Sequence, residues 1–393
     1  MIRYPRNLTL LFLSQAIFVS VIIISFTFAG LVGALLASDP KNATLPIAAF
    51  SLTTLTCIFP ASMLMKRIGR KKGFLCGTLF GMLSGTMAVI AIYMNSFLLF
   101  CLSNMLLGVY QAFAQYYRFA AIEFSKNYHS IETAVSIVLS GGVLGTLIGP
   151  TLGSFLNQWY ALYHYAEVYI ATTLLSILGI AICAFIQQPP KELFSAPALK
   201  IKHSLRHLLQ HKKYHLALIN VCVAYFLMVL LMTGTPLSMH KSGFDIMHIN
   251  FVIQWHLLGM YLPSFFMGKI LQRYGLKKGY CFAIILFLFS LFFVWYQSSF
   301  FGFSSALIMV GIAWNVMYMS GSIIVGMIDD RNKPVAQATN ETCIFLTYSI
   351  AAYLAGTLVN SIGWSNISLF CIPFLLISIV SLYCYHASLD NEL

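Results

Sequence analysis

Long apolar stretches alternate with short polar loops along all 393 residues of the chain. A helix needs about 20 mainly apolar residues to cross the hydrocarbon core of a bilayer. Twelve stretches meet this condition, at 8–37, 45–65, 73–93, 97–124, 133–156, 164–186, 214–239, 250–271, 280–296, 300–327, 341–360 and 366–386. The pattern therefore predicts an all-α integral membrane protein with twelve transmembrane helices.

The two halves of the chain repeat each other. The loop that begins at Lys66 reads KRIGRKKG, and the loop that begins at Gln272 reads QRYGLKKG. Each loop follows an apolar stretch that contains a proline, Pro60 or Pro263. Further matching pairs are Gly108 with Gly311, Glu132 with Glu341 at the starts of two predicted helices, and GTL at 145–147 with GTL at 356–358. Repetition at this long period predicts two pseudo-symmetric six-helix bundles.

The longest polar stretch separates the sixth predicted helix from the seventh. We predict an N-terminal six-helix bundle at 1–186, a cytoplasmic linker at 187–213 and a C-terminal six-helix bundle at 214–393. Leucine and isoleucine recur at helical spacing in the linker, between lysines and arginines. This pattern predicts a basic amphipathic helix on the cytoplasmic leaflet, although a solvated linker helix would have the same pattern.

The charged residues indicate orientation. Only 9% of the residues are charged, against roughly 25% in a soluble domain. Lys41 and Lys241 lie in predicted loops on one side of the membrane, and Arg118 lies within a predicted span. Every other lysine and arginine lies in or near the loops on the opposite side of the membrane. Because basic loops stay inside, both termini are predicted to be cytoplasmic, in the inner (cell) membrane. The net charge of +12 is thus spread over short loops, which argues against nucleic-acid binding.

The reactive residue types are dispersed. The nine cysteines occur singly, without a metal-ligand spacing, and the eleven acidic residues are too scattered for an enzyme site. The glycine-rich loop of nucleotide-driven proteins is also missing. We therefore expect no cofactor, no metal and no enzymatic activity. A passive channel is disfavoured because two matching halves suit alternating access.

The basic loops resemble the signature loop of the major facilitator superfamily, and the resemblance covers essentially the whole chain. In the first copy Arg67, Gly69, Arg70 and Lys71 match the family pattern, with Lys66 at its acidic position. The second copy retains Gly268, Arg273, Gly275 and Lys277, with Gln272 at the acidic position. The resemblance implies that these residues belong to a charge network that gates the transporter. Both copies lack the acidic residue of that pattern.

Two further features extend the resemblance. The family often has a carboxylate at the cytoplasmic end of the fourth helix that pairs with the second arginine of the loop; here these are Glu123 and Arg70. The alternative role for Glu123 is proton carriage. In the fifth predicted helix, a pattern typical of proton-coupled exporters occurs at Gly141, Gly145, Gly149, Pro150 and Gly153. Such a face allows close approach and sliding of a neighbouring helix, or tight packing alone.

The fourth predicted helix contains a polar stripe. Its members are Asn104, Gly108, Gln111, Gln115 and Arg118, spaced three or four residues apart. These side chains would be costly against lipid, so the stripe is predicted to face protein or a water-filled cavity. Arg118 is the first candidate for binding a carboxylate or phosphate of the substrate. A buried structural arginine is the alternative.

Other helices supply further candidates. Those predicted to line a substrate cavity are Gln15, Asn220, Tyr225, Gln254, His256, Asn315 and Tyr318, with Tyr110, Tyr116, Tyr117 and Trp314 as stacking surfaces. With Glu123 and Glu341 placed at helix ends, the sequence leaves no acidic residue near the middle of the bilayer. His256 is therefore the alternative candidate for proton coupling.

Taken together, the sequence predicts a secondary transporter that moves a small solute by alternating access. Proton-coupled export of small amphipathic compounds is favoured by the glycine face. The alternative is transport of a small organic anion, such as a carboxylate metabolite, nutrient or siderophore, anchored by Arg118. The expected partners are the substrate, a coupling proton and the lipid bilayer, and the expected state is a monomer.

Overall fold

The computed structural model describes residues 5–39, 42–125, 130–159, 165–188, 201–296 and 299–385. Predictions for both termini, for residues 189–200 of the linker and for the surroundings of Pro150 and Gly153 lie outside what it describes. The chain forms two compact units, Met1–His129 with Ile137–Ala196, and Ser130–Ser136 with Pro197–Leu393.

Helices make up nearly all of the described chain. The first unit contains α1 (Pro5–Leu36), α2 (Leu45–Ile68), α3 (Arg70–Tyr93), α4 (Phe97–Ala114), α5 (Tyr117–Ser125), α6 (Ile131–Trp159) and α7 (Ala166–Ala184). The start of α6, as far as Ser136, is assigned to the second unit. The second contains α8 (Ile201–Leu208), α9 (Lys212–Lys241), α10 (Ile246–Tyr261), α11 (Ser264–Tyr274), α12 (Leu276–Tyr296), α13 (Phe300–Gly326), α14 (Lys333–Ser361) and α15 (Trp364–Tyr385). Eleven stretches of the described chain are long and apolar enough to cross a membrane. The predicted eighth span appears as the shorter pair α10 and α11, and the predicted all-α membrane fold is confirmed.

Both basic loops turn in the same way. Gly69 joins α2 to α3 with φ 88° and ψ 160°, and Gly275 joins α11 to α12 with φ 82° and ψ 157°. Positive φ at these ψ values is accessible essentially to glycine alone. The sequence repeat is therefore also a repeat of backbone geometry.

The repeated glycines within helices mark equivalent close crossings. A Cβ atom on Gly108 of α4 would lie 2.5 Å from the carbonyl oxygen of Phe50 on α2. A Cβ atom on Gly311 of α13 would lie 2.7 Å from the carbonyl oxygen of His256 on α10. In each unit, the absence of a side chain lets two helix backbones touch.

The glycine face of α6 lies against α1. A Cβ atom on Gly141 would lie 2.3 Å from the carbonyl oxygen of Phe12, and one on Gly145 would lie 2.6 Å from Cβ of Val19. Tight packing between the two helices is therefore a property of the structure, and any sliding between them remains a proposal.

Substitution of Gly145 by alanine should lower the free energy of unfolding by about 1–3 kcal/mol, because the added methyl overpacks the contact with Val19. The matched control is Gly356→Ala at the repeat-equivalent position, where the new Cβ would meet only Leu237 at 4.0 Å. That variant should be neutral or slightly stabilising, since alanine favours a helix. Unfolding midpoints in detergent measure both. Equal changes in the unfolding midpoint for Gly145→Ala and Gly356→Ala would contradict the interpretation that Gly145 is needed for close packing on α1.

The predicted eighth span is broken at Pro263. The amide nitrogen of proline cannot donate a hydrogen bond, so the helix ends before it. Asn315 of α13 bridges the break: its Nδ2 donates to the carbonyl of Met260 at 2.7 Å and to the hydroxyl of Ser264 at 2.6 Å. A polar side chain thus satisfies a backbone group in the interior of the unit, as a membrane environment requires.

The start of α14 corrects one prediction. The eleventh helix was predicted to begin at Glu341, but α14 begins at Lys333, with Pro334 in its first turn. Proline is well suited to the first turn, where its missing N–H is not needed. The first two turns are polar, so hydropathy alone does not detect them. Glu341 lies inside the helix and not at its end.

The linker helix is short. Ser204 and Leu208 of α8 are buried within the second unit, whereas Ile201, Leu205 and Leu209 are exposed. The exposed apolar residues lie among basic ones, and attachment of this face to the cytoplasmic leaflet stays a prediction.

Candidate functional site

Arg70 and Glu123 form a two-point ion pair in the first unit. Nε of Arg70 donates to Oε2 of Glu123 at 3.0 Å, and Nη2 donates to Oε1 at 2.5 Å. The guanidinium also lies 5.6 Å from the ring of Tyr116, and only 8% of Arg70 is exposed. Arg70 is the first residue of α3, and Glu123 lies in the last turn of α5, so the two charges meet where these helix ends lie close together. The pair expected from the family resemblance is present, and its role in gating is a proposal.

The other residues of the basic loops are more accessible. Arg67 and Arg273 are exposed, and Lys71 and Lys277 are half-buried. The guanidinium of Arg273 lies 5.4 Å from the ring of Tyr274. These residues can therefore meet lipid headgroups or other charged groups at a membrane surface, unlike Arg70.

Arg118 is almost completely buried, at 2% exposure. Its Nη1 donates to the carbonyl of Gln115 at 2.6 Å and lies 3.3 Å from Oε1 of the same residue. The guanidinium lies 4.4 Å from the ring of Phe119. These contacts within one turn satisfy part of its hydrogen-bonding capacity. Substrate binding by Arg118, or a structural role as its alternative, stays a prediction.

The polar stripe of the fourth span is not continuous. The helix breaks at Gln115 and Tyr116, between α4 and α5, and Tyr116 donates through its hydroxyl to the carbonyl of Ile58 on α2. At Gly108 the same face lies against α2. The predicted stripe is therefore divided between two helices, with Asn104, Gly108 and Gln111 on α4 and Arg118 on α5, and its role in substrate binding stays a prediction.

The remaining polar candidates of the first unit differ in their surroundings. Asn104 donates to the carbonyl of Phe100 at 2.9 Å, one turn back in its own helix. Gln15 is buried on α1, and Gln111 is half-buried on α4. Oε1 of Gln111 has no hydrogen-bond partner within the described chain. Of these three polar candidates, Gln111 is therefore the one whose side-chain carbonyl oxygen accepts no hydrogen bond within the described chain.

In the second unit, four rings from three helices form what we call the aromatic cluster: Tyr225 of α9, Tyr261 of α10, and Trp314 and Tyr318 of α13. Trp314 stacks on Tyr318 with a centroid distance of 4.7 Å and an interplanar angle of 18°. Tyr225 meets both of them edge-on, at 5.3 and 5.5 Å. Tyr261 meets Trp314 edge-on at 6.2 Å and is itself partly exposed. The spacing of four on α13 places the stacked pair one turn apart.

The aromatic cluster contains a buried donor. Trp314 is 3% exposed, and its Nε1–H has no acceptor among the residues that the structure describes. A buried donor of this kind costs about 1–3 kcal/mol unless a partner is supplied. A flat ligand with a ring carbonyl or ring nitrogen could supply both a stacking surface and an acceptor. Three of the four rings, Tyr225, Trp314 and Tyr318, are predicted from the sequence as separate candidates. Tyr261 is not among the predicted residues, and its position just before Pro263 is the signal that could have identified it.

Three other candidates of the second unit make contacts between helices. Nδ2 of Asn220 donates to the carbonyl of Leu216 at 2.8 Å and to the hydroxyl of Ser381 at 2.9 Å, and the hydroxyl of Ser378 donates to its Oδ1. Asn315 bridges the broken helix, as described above. Nδ1 of His256 lies 2.7 Å from the carbonyl of Leu307, so this fully buried ring joins α10 to α13. Gln254 is half-buried on α10.

The comparisons with known proteins agree with one another. The model of the Major Facilitator Superfamily matches residues 8–254 and 217–390. The riboflavin transporter RfnT of Brucella anthropi is 30% identical over 381 residues, which are 96% of this chain and 95% of that protein. The uncharacterized transporter YddS of Bacillus subtilis is 24% identical, over 93% of this chain and 87% of that protein.

Two solved structures that share the fold are described as transporters. The fucose:proton symporter FucP of E. coli has a TM-score of 0.78 at 12% identity, over 98% of this chain and 99% of that one. The human organic anion transporter MFSD10 has a TM-score of 0.77 at 15% identity, over 97% and 100%. At these identities, the likeness concerns the fold.

Proposed function

Because the chain belongs to the major facilitator superfamily, we propose that it transports riboflavin or a closely related flavin across the membrane. The carrying observation is the aromatic cluster with the buried donor of Trp314. The isoalloxazine ring of a flavin is flat and presents carbonyl oxygens and ring nitrogens at its edge. It therefore matches the aromatic cluster, in which Tyr261 is partly exposed and the donor of Trp314 lacks an acceptor. The riboflavin transporter at 30% identity supports the same substrate class.

The mechanism that we propose is alternating access by two six-helix bundles with a proton as the coupling ion, and the gating residues are those of the two basic loops. Within this proposal, the protein acts as a monomer in the inner membrane with both termini in the cytoplasm. Riboflavin is uncharged at neutral pH, so its binding does not require an anion anchor. The contacts of Arg118 with Gln115 support this assignment over an organic anion anchored by Arg118.

Export of small amphipathic compounds by proton antiport is the second candidate function. The close packing of α6 on α1 at Gly141 and Gly145 favours it, because the family's proton-coupled exporters share this pattern. Both candidates use the same fold, and they differ in the ligand.

Thermal unfolding of the detergent-purified protein in the presence of ligands distinguishes them. At 100 times its dissociation constant, riboflavin should stabilise the protein by about 2.7 kcal/mol. Lumichrome, which is the ring without the ribityl chain, should retain part of the effect, and ribitol should give none. Stabilisation by organic acids or lipophilic cations without any effect of riboflavin would contradict the flavin proposal.

A further inference from the structure

The helix α10 has three different faces. One face is buried against α13, where Nδ1 of His256 lies 2.7 Å from the carbonyl of Leu307. A second face is exposed and carries the large apolar side chains of Phe251 and Trp255. The third face lies between these two, is half-buried and contains Gln254. This third face is neither closed off by packing nor purely apolar.

Gln254 and Tyr261 share the half-buried face of α10. Seven residues make almost two helical turns, so the two positions differ by only about 20° around the helix and by about 10.5 Å along it. Leu257 and Leu258 lie between them and are also half-buried. Tyr261 meets Trp314 edge-on at 6.2 Å. The face therefore leads from the aromatic cluster to the amide of Gln254.

The side-chain amide of Gln254 is available to a ligand. It forms no hydrogen bond with the residues that the structure describes, and it is not fully buried. Asn220 and Asn315 differ from it, because both are fully buried and donate to side chains of neighbouring helices. An amide offers two donor hydrogens and an acceptor oxygen. Hydroxyl groups donate as well as accept, so a polyhydroxylated chain complements both ends of this amide.

We propose that Gln254 binds hydroxyl groups of the ribityl chain of the flavin whose isoalloxazine ring lies at the aromatic cluster. This inference rests on the proposed function as a flavin transporter and adds a second subsite to it. The ring interacts by stacking and through the donor of Trp314, whereas the chain interacts by hydrogen bonding to the amide. Gln254 therefore determines specificity between flavins that share the ring and differ in the chain.

Binding of two flavins to the detergent-purified protein tests this assignment. Lumiflavin has the isoalloxazine ring of riboflavin, with a methyl group in place of the ribityl chain. Gln254→Met keeps an unbranched side chain of similar length and removes the amide. It should raise the dissociation constant of riboflavin by about 3- to 10-fold, the effect of one lost neutral hydrogen bond, and leave that of lumiflavin unchanged. Quenching of flavin fluorescence measures both constants.

Two further variants complete the experiment. Gln254→Asn retains an amide on a shorter side chain and should lose less riboflavin affinity than Gln254→Met. Gln210→Met is the matched control, because Gln210 is exposed beyond the end of α8 and its side chain forms no hydrogen bond within the described chain. This control should leave both dissociation constants unchanged.

Unchanged riboflavin affinity in Gln254→Met would overturn the inference. An equal loss of affinity for riboflavin and lumiflavin would also overturn it, since Gln254 would then support the ring site or the fold and not the chain. If the unsubstituted protein does not bind riboflavin, the proposed function fails, and the inference fails with it. Riboflavin binding by the unsubstituted protein therefore distinguishes failure of the inference alone from failure of the proposed function.

Discussion

Replacement of Glu123 by alanine is expected to lower the free energy of unfolding by about 3–5 kcal/mol, because it leaves the guanidinium of Arg70 buried without its partner. The pair is held at two points, with N–O distances of 3.0 and 2.5 Å, and its side chains are nearly inaccessible to water. Bidentate geometry with a planar guanidinium is the strongest form of such a pair. Denaturant unfolding in mixed micelles, followed by tryptophan fluorescence, measures the change.

The matched control is an exposed ion pair in the same chain. Asp245 and His248 are 2.5 Å apart, but both side chains are mostly accessible to water, so loss of this contact should have little effect. Asp245 also caps the start of α10 by accepting from the backbone N–H of His248, so Asp245→Ala should lower the free energy of unfolding by only about 0.5–2 kcal/mol. The double variant Arg70→Ala with Glu123→Ala should be more stable than the sum of the two single effects predicts. If Glu123→Ala were as mild as Asp245→Ala, the gating proposal would lose its structural basis.

Replacement of Trp314 by alanine is expected to raise the dissociation constant of riboflavin by about 10- to 100-fold, since aromatic stacking contributes roughly 1–3 kcal/mol per stacked ring. The variant removes both the stacking surface beside Tyr318 and the buried donor. Quenching of riboflavin fluorescence on binding gives the dissociation constant. Trp314→Phe retains a ring without the N–H and should lose less affinity than the alanine variant.

Trp255→Ala is the control for loss of a tryptophan. Trp255 is 43% exposed on α10 and does not belong to the aromatic cluster, so its removal should not affect riboflavin affinity. Unchanged affinity in Trp314→Ala, in a variant that still unfolds cooperatively, would place the flavin site elsewhere in the protein. Equal losses in Trp255→Ala and Trp314→Ala would indicate a general effect of tryptophan removal.

Hydropathy and the internal repeat predict most of this fold, because a bilayer requires long apolar segments and a duplicated chain shows each landmark twice. The turns at Gly69 and Gly275 were visible as repeated sequence, and they are repeated backbone conformations. The break at Gln115 and Tyr116 was not visible, since neither residue is a proline or glycine. Contacts with α2 accompany that break, and a local pattern does not show such contacts.

The functional residues are harder to predict than the helices. A polar residue in an apolar span has the same signature whether it bridges helices, as Asn220 and Asn315 do, or faces a ligand. Glu341 was placed at a helix end because the polar first turns of α14 hide where the helix begins. Trp314 could be identified as an aromatic residue, but its unsatisfied donor depends on the positions of residues on three helices.

The break at Pro263 also affects the order in which the protein can be assembled during synthesis. The 16 residues of α10 and the 11 residues of α11 are each too short to cross a bilayer alone. The side chain that satisfies the broken helix belongs to Asn315, 51 residues after Ser264, so it is translated later than both pieces. The eighth segment therefore reaches its final hydrogen bonding only after α13 has been made.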